Sequence, residues 1–119
     1  MSAPEAARTI DATGKYVLPG GIDAHVHFGL PMGTFTFRSP YHGTVAAACG
    51  GTTTIMDFAV QQHPRNGLME AIEEKLEQMK ESVIDYAVHA IMSGQVSFEE
   101  MQEIPQAIKS GVPSIKMFT

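Results

Sequence analysis

Two histidines separated by one residue, His25 and His27, close an apolar stretch that predicts a buried β-strand over residues 17–25. Side chains at positions i and i+2 of a strand point to the same face. The two imidazoles can therefore reach one point in space, and neutral imidazole is a common ligand of zinc and other metals. Pro19 and the two glycines after it mark the start of the strand. This spacing predicts a metal site where the strand ends.

Lys116 is the second candidate, because it stands alone in the apolar stretch at residues 115–118. Burial of an ammonium ion is costly unless its charge is paired or removed. A desolvated lysine has a lowered pKa and becomes nucleophilic, and its neutral amine can add carbon dioxide to form a carbamate. That anion has two oxygens and can bridge two divalent metals. Taken alone, the residues favour a simpler alternative, in which Lys116 extends from the end of a strand to solvent.

Two carboxylates are close to these residues along the predicted strands. Asp57 falls near the end of the second strand, where it can accept a hydrogen bond from a ligating histidine or from nearby backbone, and both interpretations stay open. Asp23 has the same strand parity as His25 and His27. It can orient the histidines or lock the start of the strand, and the orienting role is the favoured interpretation.

The other histidines and the cysteine have simpler interpretations. His89 lies in the third predicted strand and is expected to be a hydrogen-bonded core residue rather than a ligand. His42 and His63 have polar neighbours and are expected at the surface. Cys49, the single cysteine, follows a run of alanines and is expected to be a buried small apolar side chain.

Strand and helix patterns alternate along the chain and would position these groups. After a loose lead-in, a short strand is predicted at 10–15, and further strands at 52–60, 84–91 and 114–118. A helix with a small-residue face is predicted over 39–49, and another opens with a capping box at Ser97. Pro105 predicts the first turn of a separate short helix, which ends at Gly111.

A longer helix after residue 67 shows helical periodicity of its apolar residues. The buried face is predicted to hold Leu68, Ile72, Leu76, Met79 and Val83. The solvent-facing side is predicted to hold Glu70, Glu73, Glu74, Lys75 and Glu77.

The alternation of strands and helices predicts an α/β fold of parallel βα units with right-handed crossovers. A doubly wound dinucleotide-binding sheet needs a Gly-x-Gly-x-x-Gly turn after its first strand, and residues 25–33 do not match it. Polar residues at the carboxyl ends of the strands favour a (β/α)8 TIM-like barrel instead. Such a barrel takes about 250 residues, so four strands predict its first half. Either the chain is part of a longer protein, or it covers its open sheet edges by forming a homo-oligomer.

Composition restricts the class of protein further. The 119 residues allow one domain at most, and a hydrophobic content of 44% excludes a disordered chain. The net charge of −5 argues against a nucleic-acid partner. No apolar run approaches the roughly 18–20 residues of a membrane span. The first eight residues lack the apolar segment of a secretion signal, and together with the single cysteine this predicts a cytoplasmic protein.

The segments that carry these candidates resemble the dihydropyrimidinase and D-hydantoinase family, which are cyclic amidohydrolases of the amidohydrolase superfamily. The resemblance covers nearly everything after residue 9, in the family's order and spacing. The matching segments are IDATGKYVLPGGIDAHVH at 10–27, GT at 43–44, GGTTTIMDF at 50–58, IDYAVH at 84–89 and PSIKMF at 113–118.

This resemblance implies a (β/α)8 barrel that holds two zinc ions and opens a cyclic diamide, a dihydropyrimidine or hydantoin ring. His25 and His27 match the pair that binds the more buried metal. Lys116 matches the lysine that is carboxylated and bridges both metals in the catalytic site. The resemblance also implies that residues 1–16 are a lead-in with a remnant strand of an N-terminal β-sandwich, and that residues 17–119 are barrel strands one to four.

Departures from the family keep alternatives open. The family's other histidine ligands, its catalytic aspartate and a tyrosine that holds the ring come from later strands, which this sequence does not include. Residues 35–42 stand where relatives carry a Ser/Asp-rich loop, so the resemblance does not fix the substrate. The alternatives are a non-catalytic dihydropyrimidinase-like scaffold, an inactive fragment, or, within the enzymes, an allantoinase or dihydroorotase. The presence of both His25 and His27 favours the enzymes. We expect the isolated chain to bind at most one zinc ion weakly and to open no ring by itself.

Overall fold

A computed structural model of the chain describes residues 5–29, 39–61 and 67–118. The elements alternate in the order β1 (Gly21–Asp23), α1 (Pro40–Cys49), β2 (Thr52–Ala59), α2 (Leu68–Met79), β3 (Asp85–Met92), α3 (Phe98–Lys109) and β4 (Ile115–Met117). Every strand pair is parallel, and the sheet order is β1-β2-β3-β4. The strands curl into a half-barrel with helices between them. The predicted half of a (β/α)8 barrel is therefore confirmed.

The first strand is shorter than predicted and is exposed rather than buried. It forms an edge of the sheet, so only β2 covers it among the described residues. The chain lies very close to β2 before this strand, since a Cβ atom added at Gly20 would come within 2.0 Å of the Thr53 hydroxyl. The backbone still follows β2 after Asp23, and the Val26 N–H donates to the Met56 carbonyl at 3.1 Å. The two histidines therefore leave the strand on a backbone that stays against the sheet.

Helix α1 begins where the sequence predicts. The Ser39 hydroxyl caps it by accepting from the Tyr41 N–H at 3.2 Å, and Pro40 occupies its first turn. Gly43 packs directly on the ring of Phe28, because a Cβ atom at this position would lie 2.5 Å from that ring. The glycine therefore brings α1 against the segment that follows the histidines. Cys49, predicted to be buried, is exposed, because it lies in the last turn of α1 away from that contact.

Three predictions made for helices α2 and α3 are wrong. Helix α2 ends at Met79, so Val83 lies beyond it and is half-exposed. Lys75, predicted to face solvent, is buried. The capping box at Ser97 is confirmed, but Pro105 lies inside a single continuous helix and does not start a new one. Pro105 is on the exposed side of α3, where water can reach the carbonyl that loses its helical hydrogen bond.

Two clusters of buried apolar side chains hold the layers together. The larger lies between the sheet and helices α2 and α3 and contains Ala59, Leu68, Ile72, Val88, Ala90, Met92, Ala107 and Val112. The smaller contains Phe28, Ile55 and Met79, with Val26, Ala47 and Ile84 packed against it. Phe28 thus fixes the end of the histidine segment in a core.

The strand predicted at 10–15 does not form. The Asp11 carboxylate accepts from the Thr13 N–H and hydroxyl, and the Lys15 N–H donates to the Ala12 carbonyl. The segment is a turn because no described strand lies beside it to pair with its backbone. No helix in the described part of the chain has both the length and the apolar character needed to cross a membrane.

Candidate functional site

The ring of Phe58, near the end of β2, is the centre of the candidate site. The ring is buried, and three imidazoles lie against it. Its centroid is 4.7 Å from that of His25, 4.7 Å from that of His27 and 5.1 Å from that of His89. The His27 ring stacks on it with an interplanar angle of 29°. One aromatic side chain therefore supports both predicted metal ligands.

Lys116 reaches the same ring from β4. Its Nζ lies 4.6 Å from the centroid of Phe58 and 4.9 Å from that of Phe118. A cation over an aromatic face is attracted by the ring quadrupole, so the ammonium is held over the sheet. It is half-buried and does not extend freely to solvent. The structure thus brings Lys116 to the same ring as His25 and His27, across four strands of the sheet.

The two histidines are close enough to bind the same metal ion. Their ring centroids are 5.2 Å apart, with a T-shaped arrangement. His27 is partly buried, and its Nδ1 has no hydrogen-bond partner among the described residues. Burial lowers the pKa of His27, and the positive charges of His25 and Lys116 lower it further, against the opposing effect of Asp57. The neutral, ligating form is therefore favoured.

The two predicted carboxylates contact backbone and not the imidazoles. The Asp23 carboxylate accepts from the His25 N–H at 3.1 Å, which holds the backbone turn after β1. Asp57 is fully buried. Its Oδ2 accepts from the Phe28 N–H at 3.1 Å and its Oδ1 from the Phe58 N–H at 2.7 Å.

Lys75 is a residue of this region that sequence reasoning missed. Its Nζ lies 2.7 Å from Asp57 Oδ2 and donates to the Phe28 carbonyl at 2.5 Å. A signal for its burial was present, because Lys75 follows Leu68 by seven positions and precedes Met79 by four. Those spacings place it on the apolar stripe of α2. Its charge alone suggested a solvent-facing position.

His89 continues the site across the sheet. It is the register partner of Phe58, and its Nδ1 is hydrogen-bonded to the Ser114 hydroxyl at 2.5 Å. This satisfied, half-buried state is the one expected from the sequence. His42 is exposed, also as expected, and His63 and residues 35–38 lie outside the described residues.

An open depression of about 390 Å³ lies over this group, lined by Ala24, His25, Phe58, His89, Ser114, Ile115 and Lys116. Its mixed polar and apolar lining is typical of a small-molecule site. The depression opens on the face of the sheet that carries Phe58, where a barrel would have its interior.

The donor set fits part of a metal centre. Two imidazoles converge, and one has a buried nitrogen without a partner in the described chain, which carries a desolvation penalty that a ligand would remove. Within residues 5–29, 39–61 and 67–118, however, no group of three or more His, Cys, Asp or Glu side chains is placed to hold a metal ion. A complete centre therefore needs ligands of another kind or from other residues.

The fold and the convergent histidines agree with comparisons to known proteins. Residues 16–115 match the amidohydrolase family, so the chain belongs to that family. It is 43% identical over 116 residues to a D-hydantoinase of Streptomyces coelicolor, covering 95% of this chain and 24% of that protein. It is 37% identical over 115 residues to a D-phenylhydantoinase of Escherichia coli, covering 92% of this chain and 24% of that protein.

Solved structures give the same result. A crystal structure of D-hydantoinase superposes with a TM-score of 0.84 at 37% identity, covering 96% of this chain and 25% of that one. The D-hydantoinase of Bacillus sp. AR9 gives 0.84 at 38% identity, with the same coverage. The chain thus spans about a quarter of the length of the relatives it matches. The resemblance to the D-hydantoinase family is confirmed.

Proposed function

We propose that this chain forms part of the active site of a metal-dependent hydrolase that opens a hydantoin or dihydropyrimidine ring. The observation that carries the proposal is the convergence of His25, His27 and Lys116 on the ring of Phe58. These residues come from the carboxyl ends of parallel strands, where barrels of this type hold their active sites. The names of the relatives, D-hydantoinase and D-phenylhydantoinase, support a cyclic amide as the substrate.

Zinc is the proposed metal, with two ions in the complete site. His25 and His27 would hold one ion, and the lowered pKa of His27 supports the neutral form that ligation needs. Zinc supplies Lewis acidity, which lowers the pKa of water and polarises a carbonyl group. The Phe58 ring lies against one side of each of the two imidazoles.

Lys116 is proposed to become the bridging ligand by carboxylation. The ammonium first releases one proton to solvent. The neutral Nζ would then attack the carbon of carbon dioxide, an N–C bond forms as the π bond of one C=O breaks, and a second proton leaves to solvent. The cation is thereby replaced by a carbamate anion. Divalent ions beside His25 and His27 would repel an ammonium at this position and attract the anion, so metal binding and carboxylation favour each other.

The depression over Phe58 is the proposed position of part of the substrate ring. Its volume of about 390 Å³ lies within the usual size of small-molecule sites. The aromatic ring supplies an apolar floor, and the Ser114 hydroxyl with His89 supplies a polar edge. Both features suit a small, flat diamide.

A chimaera tests the proposal. This chain would replace the corresponding quarter of the Streptomyces coelicolor D-hydantoinase, and hydantoin opening would be measured with zinc present. We expect measurable ring opening in the chimaera and its loss in chimaeras carrying His25→Ala or Lys116→Ala. A chimaera that folds and binds zinc as the parent does but opens no ring contradicts the proposal. The isolated chain is expected to be inactive, as in the sequence-based prediction.

The remaining features support three smaller proposals. Self-association is supported by exposed apolar side chains in the outer strands and in the chain segments next to them: Tyr16, Val17, Leu18, Ile22, Met117 and Phe118. A cytoplasmic location is supported by the exposed, free thiol of Cys49. A boundary near residue 16 is supported by the lack of helix or strand in residues 5–16, most of which are exposed.

Light scattering tests self-association directly. We expect a concentration-dependent mass above that of one chain, because open sheet edges pair readily. A monodisperse single chain at all concentrations would contradict it.

A further inference from the structure

Lys75 lies on α2 with only 4% of its side chain exposed. Its ammonium contacts two groups, the Asp57 carboxylate at 2.7 Å and the Phe28 carbonyl at 2.5 Å. A buried cation is stable only when it is paired and hydrogen-bonded. Both conditions are met here, on the face of the sheet opposite the ring of Phe58.

Asp57 completes the arrangement by using both of its oxygens. Oδ2 accepts from the Phe28 N–H, and Oδ1 accepts from the Phe58 N–H. The Lys75–Asp57 pair therefore binds the N–H and the C=O of Phe28 together. Through Asp57, the same pair also binds the backbone N–H of Phe58, whose ring supports His25 and His27.

The position of Phe28 explains why this contact matters for the site. Phe28 directly follows His27, and its ring is buried against Gly43 on α1. Its side chain and both polar backbone groups are therefore fixed. Three anchors on one residue leave the backbone beside His27 little freedom to move.

We infer that Lys75 is a positioning residue that, with Asp57, fixes the backbone of residues 25–28 and so the direction of the two histidines. The inference rests on the proposed function where it treats these histidines as metal ligands. Groups that orient ligands typically contribute about 10–100-fold to metal affinity. An ion pair is suited to this role because it bonds a carbonyl and an N–H at once, which an apolar pair of equal volume cannot do.

The test compares three variants of the full chain with the wild type. Lys75→Met leaves Asp57 buried without its cation. Lys75→Met/Asp57→Leu removes both charges, so stability should recover while the bonds to Phe28 stay lost. Lys80→Met is the matched control, because Lys80 follows α2 and pairs with Glu77 at the surface.

The first measurement is residue-resolved hydrogen exchange without metal. We expect the Phe28 amide of the double variant to exchange about tenfold faster than in the wild type. Amides of the central strand β3 should exchange at nearly the wild-type rate. Lys80→Met should change neither. If the Phe28 amide and the β3 amides of the double variant are all protected as in the wild type, Lys75 only neutralises the charge of Asp57. That result overturns the inference.

The second measurement is titration with Co²⁺ alone, followed by its visible absorption. We expect the affinity to fall about 10–100-fold in both Lys75 variants and to be unchanged in Lys80→Met. Wild-type affinity in the double variant would overturn the inference. If the wild type and His27→Ala bind Co²⁺ equally, the proposed metal site fails. The Phe28 exchange rate then decides by itself whether Lys75 positions the segment.

Discussion

Two lysines, Lys75 and Lys116, approach the second half of β2 from opposite faces of the sheet, and their surroundings differ. Lys75 is buried between the sheet and α2, with a carboxylate and a carbonyl as partners. Lys116 is half-buried over the ring of Phe58, beside the two histidines. On one face the charge is matched by hydrogen-bonded partners, and on the other it lies over an aromatic ring. The first environment fixes the lysine through an ion pair and a hydrogen bond, whereas the second holds it through contact with an aromatic ring on a partly exposed face.

Neighbouring residues on β2 produce this contrast. Asp57 and Phe58 point to opposite faces because successive side chains of a strand alternate. Asp57 serves the helix-covered face, and Phe58 serves the face with the open depression. Asp57 and Phe58 therefore connect the helix-covered face to the face that carries the site. The connection is the hydrogen bond that the Phe58 N–H donates to the Asp57 carboxylate.

The largest effect on stability is expected from Lys75→Met. The substitution leaves the Asp57 charge buried and unpaired, which should lower the free energy of unfolding by about 3–5 kcal/mol. Urea denaturation followed by circular dichroism measures this. A loss below about 1 kcal/mol, typical of an exposed ion pair, would mean that the two faces do not differ as described.

Gly43→Ala should disturb the same helix-covered face by crowding. The added Cβ atom would lie 2.5 Å from the Phe28 ring, and overpacking of this kind costs about 1–3 kcal/mol. Thermal unfolding measures the change, with Ala48→Gly as a reference for helix propensity alone. Unchanged or increased stability would show that Phe28 is not tightly held against α1.

Lys116→Met should have a smaller effect on stability without metal. The ammonium gains about 0.5–1 kcal/mol from its contact with an aromatic ring at a partly exposed site, and methionine keeps most of the apolar contact. Urea denaturation should therefore show a loss of at most about 1 kcal/mol. A loss as large as that of Lys75→Met would show that Lys116 has a structural role. That result would contradict its proposed role as a metal ligand.

Ser114→Ala is expected to have an effect of similar size. It removes the hydroxyl bonded to His89 Nδ1, and one such hydrogen bond contributes about 0.5–1.5 kcal/mol. The chemical shifts of the His89 ring should change while those of His27 stay constant. If the His27 shifts change equally, the two histidines belong to one coupled group and His89 is part of the metal site.

The sequence predicts the alternation of strands and helices because β2, α2, β3 and α3, with 8 to 12 residues each, are long enough to show their periods. Only the family resemblance implies that Lys116 shares a site with His25 and His27, because the residues taken alone favour a lysine that extends to solvent. Sequence reasoning missed Lys75, because a charged residue on an apolar stripe was assigned to solvent. The partner that makes its burial possible, Asp57, lies 18 positions away, and only the packing of α2 on β2 brings the two together.

The remaining errors also come from tertiary contacts. The segment at 10–15 has strand-like residues but no described neighbour to pair with. Pro105 predicts a helix start because a proline inside a helix loses a hydrogen bond. That loss is tolerated here because Pro105 is on the exposed side of α3. Short-range patterns carry no information about which elements the fold brings together.

The central claim is that His25 and His27 form part of a metal site over Phe58. X-ray absorption of the chain loaded with one equivalent of Zn²⁺ tests it most directly. We predict two imidazole nitrogens at about 2.0–2.1 Å from the metal. The X-ray absorption signal of these nitrogens should change in His25→Ala and also in His27→Ala. An unchanged zinc environment in these two variants would contradict the claim.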